Sequence, residues 1–113
     1  MSDSMSFAVT AAWSGTDVVL AVAGELDLAA SAAWDASVDE ALGQVPSMVT
    51  VDLAATTFVD SSGLRLLLML RCRAGEAGIT FTVSNISPAV ARLLEVTGLT
   101  DLVGESLPDA TAP

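Results

Sequence analysis

Residues 49–72, VTVDLAATTFVDSSGLRLLLMLRC, hold the part of the chain that decides the fold. Residues 49–53 alternate apolar and polar side chains, which is the period-two pattern of a strand. Residues 64–70 are rich in leucine and methionine, which favour a helix. Between them, residues 60–63 read DSSG, and Asp and Ser are residues whose side-chain oxygens cap helix N-termini. The stretch therefore predicts a strand, a turn and a helix, with two hydroxyls at the positive end of that helix, where an anion is favoured.

The length and apolar content predict one domain with one core. The chain has 113 residues, of which 52% are hydrophobic. We expect the single domain to span 1–113, with its core in about 7–103 and with loose ends at 1–5 and 106–113. The apolar runs are far shorter than the roughly 20 residues of a membrane span, and the N-terminus has no basic, apolar leader. These features predict a cytoplasmic chain without membrane insertion.

The charge and the missing residue types exclude several classes of function. The chain has fourteen Asp and Glu residues but only four Lys and Arg residues, so its formal net charge is −10. Nucleic acid is therefore not an expected partner, because its phosphates would be repelled. The chain has no His and one Cys, Cys72, which removes the usual zinc ligand sets, His-dependent catalysis and an internal disulfide. The absence of Lys removes a Walker-type nucleotide site. We therefore expect no metal and no cofactor.

The periodicities predict strands alternating with helices after an initial hairpin. The expected strands are 7–13, 18–23, 48–53 and 79–83, with a short last one at 99–103, and the expected helices are 28–42, 61–77 and 89–96. Gly78 and Gly98 are predicted to end the second and third helices, and Ser87 with Pro88 to begin the third. This order predicts an α/β fold with a mixed sheet and a parallel core.

Two polar turns allow more than one interpretation. Residues 24–27, GELD, are predicted as a loop whose two carboxylates suit a glycosidase less well than a cap, with Asp27 before the first helix. For Asp60-Ser61-Ser62-Gly63 the local pattern alone favours a helix cap over a phosphate-accepting serine. A hydrolase elbow is not supported, because the first glycine of Gly-x-Ser-x-Gly and a basic partner are missing. Ser61 is expected to be the more accessible serine, and Ser62 the better placed for a capping bond.

The central helix is predicted to have a buried face and an outer face. At about 100° per residue, the buried face comprises Gly63, Leu67, Leu70 and Ala74, and Gly63 lets the first turn pack close to the sheet. The outer face comprises Arg65, Leu68, Met69 and Cys72. Two interpretations of this outer face remain open: a partner-binding patch, or isolated apolar residues of the kind common on surfaces.

Three blocks in register resemble the STAS-domain anti-sigma-factor antagonists of bacteria: residues 24–27, residues 51–64 and residues 86–99. The resemblance covers about residues 7–103. It implies a single STAS-like domain with a small mixed sheet of about 4–5 strands and helices packed mainly on one side. Two features depart from the family: Arg65 often corresponds to a small residue, and the C-terminal helix is not legible.

The resemblance also implies a function without enzymatic activity. Such proteins bind an anti-sigma-factor serine kinase when unphosphorylated, and so release a sigma factor. The kinase modifies the first serine after the aspartate, Ser61 here with Ser62 as the alternative, and a metal-dependent serine phosphatase reverses it. The chain would be a monomer or a weak dimer. The alternative is a STAS subunit docked to a membrane transporter or a larger signalling assembly. The expected partner-binding residues are Asp27, Asp60, Ser61, Ser62, Gly63, Arg65, Leu68, Met69 and Cys72.

Overall fold

The computed structural model describes residues 7–97, in which helices cover one face of a four-stranded mixed sheet. The elements are β1 (Phe7–Ser14), β2 (Asp17–Leu26), a short 3-10 helix (Leu28–Ala30), α1 (Ser31–Gly43), β3 (Met48–Val59), α2 (Ser61–Glu76), β4 (Thr80–Ser84) and α3 (Pro88–Thr97). The strands lie in the order β1-β2-β3-β4. β1 and β2 are antiparallel, whereas the β2–β3 and β3–β4 pairs are parallel. The predicted fold class is confirmed.

The sheet buries one face and leaves the other open. In the register, Val18 lies opposite Val49 and Leu20 opposite Val51, and all four side chains are fully buried. The intervening positions, such as Thr50, are only partly buried. The helices contribute Trp34, Leu67 and Leu94 among others to the same core. A strand with one buried face has a strongly specified register, since a one-residue slip would move every apolar side chain to the open face.

β2 and β3 are both longer than the sequence predicted. β2 continues through residues 24–26, which were predicted as loop, and β3 continues from residue 53 to Val59. The prediction failed because pairing between the strands decides these segments: Gly24 lies opposite Thr56, and Leu26 opposite Val59. Tertiary pairing of this kind overrides the weak strand preference of Gly and Glu.

Two register shifts allow the 12-residue β3 to pair along the 10-residue β2. The parallel register shifts between Ala21 and Ala23, and again between Gly24 and Glu25. The buried Thr56 hydroxyl donates to the Val22 carbonyl over 2.9 Å and satisfies a group in the disturbed region. Asp52 accepts bonds from the Ala54 amide at 2.9 Å and from Asn85 Nδ2 at 3.1 Å, so one carboxylate ties this segment to the turn after β4.

The helix ends agree with the sequence in some places and not in others. Gly78 has a φ of +76° after α2, and the Ile79 amide returns to the Ala74 carbonyl over 2.8 Å, which confirms the predicted glycine end. The Ser87 hydroxyl accepts from the Val90 amide at 3.3 Å, which confirms the start of α3. Asp27 makes no side-chain cap, so that prediction is wrong: the 3-10 turn intervenes, and α1 begins at Ser31. The expectations for Gly98, residues 99–103, the C-terminal helix and both chain ends lie outside the described residues.

Val45 is strained at the end of α1. Its φ is +52°, in the left-handed region that a β-branched residue strongly disfavours, and its side chain is 70% exposed. Val45→Gly is therefore expected to raise the free energy of unfolding by about 1 kcal/mol, because relief of strain outweighs the entropy cost of glycine and little packing is lost. Urea denaturation measures the change.

Gln44→Gly is the matched control for this substitution. Gln44 has an ordinary φ of −92°, so glycine there relieves no strain and should lower the stability. If both variants lose stability to the same extent, the left-handed conformation at Val45 does not carry the cost assigned to it.

Candidate functional site

The first turn of α2 presents two serines in different environments. Asp60 is the N-cap residue, and its Oδ1 accepts from the Gly63 amide at 3.0 Å. Ser61 and Ser62 are the first two helical residues; Ser61 is exposed, whereas Ser62 is half-buried. The capping bond predicted as better suited to Ser62 is thus made by Asp60, which leaves the Ser61 side chain facing solvent at the positive end of a 16-residue helix.

Gly63 holds this turn against the end of β2. A Cβ at Gly63 would overlap the Leu26 carbonyl oxygen and would lie 2.9 Å from the carbonyl carbon and 3.0 Å from Val59 Cγ1. The sequence expectation of close packing at Gly63 is met. The contact also brings the chain after β2 to the site: Asp27 is half-buried there, and Leu28 is 71% exposed. Leu28 was not among the predicted site residues, because it was counted within the first helix.

The outer face of α2 forms a shallow groove. It is lined by Arg65, Leu68, Met69, Cys72, Arg73 and Glu76. Met69 is 50% exposed and Cys72 is exposed, whereas Leu68 is half-buried and packs partly on the core. We call Arg65, Leu68, Met69 and Cys72 the α2 patch. The predicted phase of the helix is correct, since Gly63, Leu67, Leu70 and Ala74 are all buried.

Two arginines line the groove, and within residues 7–97 only one of them forms an ion pair. Arg73 donates to Asp39 of α1 at 2.8 Å, and both side chains are substantially exposed. Within residues 7–97, Arg65 has no ion pair and is exposed. Arg65 lies four residues after Ser61, on the same side of α2, and acid before base at this spacing is the favourable order. A negative group on Ser61 would therefore have a cation one helical turn away.

A second apolar surface lies beside the serine turn and was missed by the sequence analysis. It is a cleft of about 280 Å³ between the end of β3 and α3, lined by Thr57, Phe58, Val59, Arg92, Leu93 and Val96. Phe58 is 47% exposed and Val96 is 77% exposed. Phe58 precedes Asp60 by two residues, so this cleft and the α2 patch flank the same turn. Phe58 was not recognised as a surface residue of this cleft because it lies beyond the predicted strand 48–53 and was assigned to no element.

The structure brings only part of the predicted site together. The serine turn and Asp27 are close, through the contact of Gly63 with Leu26. The α2 patch extends away from this turn, and Cys72 lies about 16 Å along the helix axis from Ser61. Within residues 7–97, no group of three or more His, Cys, Asp or Glu side chains could hold a metal ion, and no helix is long and apolar enough to cross a bilayer.

Comparison with known proteins identifies the family. A family model described as "Mlab, STAS domain" matches residues 9–104. The chain belongs to the STAS domain family. This STAS domain is 30% identical over 99 residues to the anti-sigma-F factor antagonist RsfB of Mycobacterium tuberculosis, which covers 88% of the chain and 80% of RsfB. The resemblance stated from the three sequence blocks is thereby confirmed.

Solved structures agree with this assignment. An anti-sigma factor antagonist from Mycobacterium paratuberculosis superposes with a TM-score of 0.79 at 26% identity, covering 97% of this STAS domain and 95% of that chain. A sulfate transporter family protein from Wolinella succinogenes superposes with a TM-score of 0.71, covering 83% and 76%, at 14% identity. The second likeness is one of fold alone. RsfB and the Mycobacterium paratuberculosis protein are both antagonists of anti-sigma factors.

Proposed function

We propose that this STAS domain is an anti-sigma-factor antagonist that binds a kinase-type anti-sigma factor and is switched by phosphorylation of Ser61. The observation that carries the proposal is the exposed Ser61 side chain at the first position of α2, beside the half-buried Ser62. RsfB and the Mycobacterium paratuberculosis structure support the role of antagonist. No observation favours docking to a transporter, since that likeness is limited to the fold.

In the unphosphorylated state, the serine turn and the α2 patch would form the partner surface. The turn is held rigidly, because Asp60 caps α2 and Gly63 seats the first turn on Leu26. Leu68, Met69 and the aliphatic part of Arg65 offer apolar contact, and the charge of Arg65 is available to an acidic group of the partner. The whole chain, 1–113, would act as one domain in the cytoplasm and would not itself catalyse a reaction.

Phosphorylation would change binding without changing the fold. A phosphate adds about −1.5 to −2 charge, and at a helix N-terminus this charge is favourable by roughly 0.3–1 kcal/mol. The same charge placed at a contact surface is desolvated on binding and repels acidic neighbours, which weakens the complex. ATP would belong to the kinase, and a metal-dependent serine phosphatase would restore the binding form.

Ser61→Ala is expected to abolish phosphorylation by the cognate kinase while leaving binding intact, because the alanine removes only the acceptor oxygen. Phosphopeptide mapping and titration against the kinase measure the two effects. Ser62→Ala is the matched control and should still be phosphorylated. A phosphate found on Ser62, Thr56 or Thr57 would contradict the assignment; Thr56 is 2% exposed and should be inaccessible.

Ser61→Asp and Ser61→Asn form a second pair that separates charge from size. The aspartate should reduce kinase affinity and leave the circular dichroism spectrum and melting temperature close to wild type, whereas the asparagine should keep the affinity. A large loss of thermal stability in Ser61→Asp would show that the charge acts on the fold.

A further inference from the structure

Among residues 7–97, the edge of the sheet at β1 has none of the features that usually protect an edge strand. β1 spans eight residues, FAVTAAWS, with no charged residue and no proline. Its pairing with β2 runs without a register shift from Phe7 opposite Gly24 to Ser14 opposite Asp17. Edge strands of monomers normally carry charges, prolines or bulges that prevent pairing with another chain. Within residues 7–97, nothing pairs with the outer side of β1.

The backbone groups that point outward can be assigned from the hairpin. Ser14 and Asp17 flank a two-residue turn and form the last pair of β1 and β2. In such a hairpin the pair next to the turn exchanges both hydrogen bonds, and bonded and non-bonded pairs then alternate. The amides and carbonyls of Ala8, Thr10 and Ala12 therefore bond to β2. Those of Phe7, Val9, Ala11 and Trp13 face away from the sheet.

The sequence of β1 is suited to antiparallel pairing with itself. If Thr10 lies on a two-fold axis, Val9 pairs with Ala11 of the second copy, and Phe7 pairs with its Trp13. Phe7 and Trp13 lie on the helix-covered side, since their β2 partners are Gly24 and the buried Val18. Trp13 is 39% exposed in the single chain, and a cross-strand aromatic pair would cover it.

We propose that two copies of this chain associate through β1, joining their sheets into one continuous eight-stranded sheet. We assign a second copy as the partner of this edge because Phe7 and Trp13 stand at opposite ends of the span 7–13. Antiparallel pairing about Thr10 therefore forms two Phe7–Trp13 pairs. α2 packs against β3 and β4, so the α2 patch stays free in the dimer. The inference stands independently of the proposed kinase binding.

The charge of the chain makes a distinctive prediction for this dimer. Each copy carries a net charge of −10, while β1 itself is uncharged. Association is therefore opposed by long-range repulsion and gains nothing from ion pairs at the edge, so added salt should strengthen it. A single strand pair also buries less than the ~1,600 Å² of a standard interface, so the dimer should be weak and concentration-dependent.

Sedimentation equilibrium of the full chain, at low and high salt, tests the proposal. The wild type should show a dimer fraction that rises with concentration and with salt. Thr10→Lys places two like charges opposite each other on the axis and should raise the dissociation constant at least about tenfold. Thr80→Lys is the matched control, because it adds the same charge at an exposed position on the other edge strand and should leave dimerisation unchanged.

Ala11→Pro gives an independent test, because it removes an outward amide and spares the bonds to β2. It should also abolish the dimer, with circular dichroism confirming the fold. Amide exchange at Ala11 in the wild type needs no variant and should slow only at high concentration. A wild type that stays monomeric up to about 1 mM, an Ala11 amide protected at every concentration, or folded variants that dimerise normally would each overturn the proposal.

Discussion

Gly63→Ala is expected to lower the free energy of unfolding by about 3 kcal/mol. The added Cβ would overlap the Leu26 carbonyl oxygen, which is backbone within a strand, and would press on Val59 Cγ1 at 3.0 Å. Neither neighbour is the end of a flexible side chain, so α2 itself must shift. The shift would displace Ser61 and its cap, and partner binding should weaken together with stability. Urea denaturation measures the first effect.

Gly75→Ala is the matched control within the same helix. Gly75 is exposed, and a Cβ there meets nothing within 4 Å. Alanine should therefore raise the free energy of unfolding by roughly 0.5 kcal/mol, since Gly75 lies in the last turn of α2 and alanine is the better helix former. Replacing glycine by alanine is thus predicted to lower the free energy of unfolding at position 63 and to raise it at position 75. If Gly63→Ala is tolerated as well as Gly75→Ala, the close approach of α2 to β2 is wrong.

Met69→Glu is expected to weaken binding to the kinase-type partner by about 2 kcal/mol or more, which is roughly a 30-fold increase in the dissociation constant. Met69 is 50% exposed in the α2 patch, and a carboxylate there would be desolvated without a partner when the surface is covered. The free energy of unfolding should change by no more than about 0.5 kcal/mol, as is usual for an exposed position. Titration against the kinase and thermal melts measure the two quantities separately.

Ala33→Glu controls for the added negative charge, because it places the same side chain at an exposed position of α1. It should leave binding unchanged. Normal binding by Met69→Glu would move the interface away from the α2 patch, and the Phe58 cleft would become the stronger candidate. Loss of binding in both variants would indicate a general effect of charge.

The parts of the fold that local pattern determines were predictable. The alternation in residues 49–53, the helical face containing Leu67 and Leu70, and the glycine at 78 each depend on neighbours in sequence, and all are confirmed. The parts that failed depend on distant residues. No local signal shows that residues 24–26 find strand partners in residues 56–59, because their composition favours a turn.

The site shows the same division. The exposure of Met69 followed from helical phase, that of Ser61 from its place at the start of the helix, and the glycine contact at 63 from its place in the first turn. Asp27 was assigned a cap because its side chain suits one, but the short 3-10 turn separates it from α1. Phe58 and Val96 could not be associated in advance, since they are 38 positions apart in the sequence and meet only where β3 passes α3.

The two register shifts between β2 and β3 have a consequence for changes of chain length. Together they take up two residues of β3, which is about 6–7 Å of strand. These two extra residues determine where β3 ends, and therefore where Ser61 lies relative to Leu26. Deleting Ala54 would remove the extra residue at the first shift, so the later pairs of β3 with β2 would be kept, whereas a deletion in the regular segment 48–52 would send each following side chain to the opposite face. The first shift is therefore the point of β3 at which the chain best accommodates a change of length without moving Ser61.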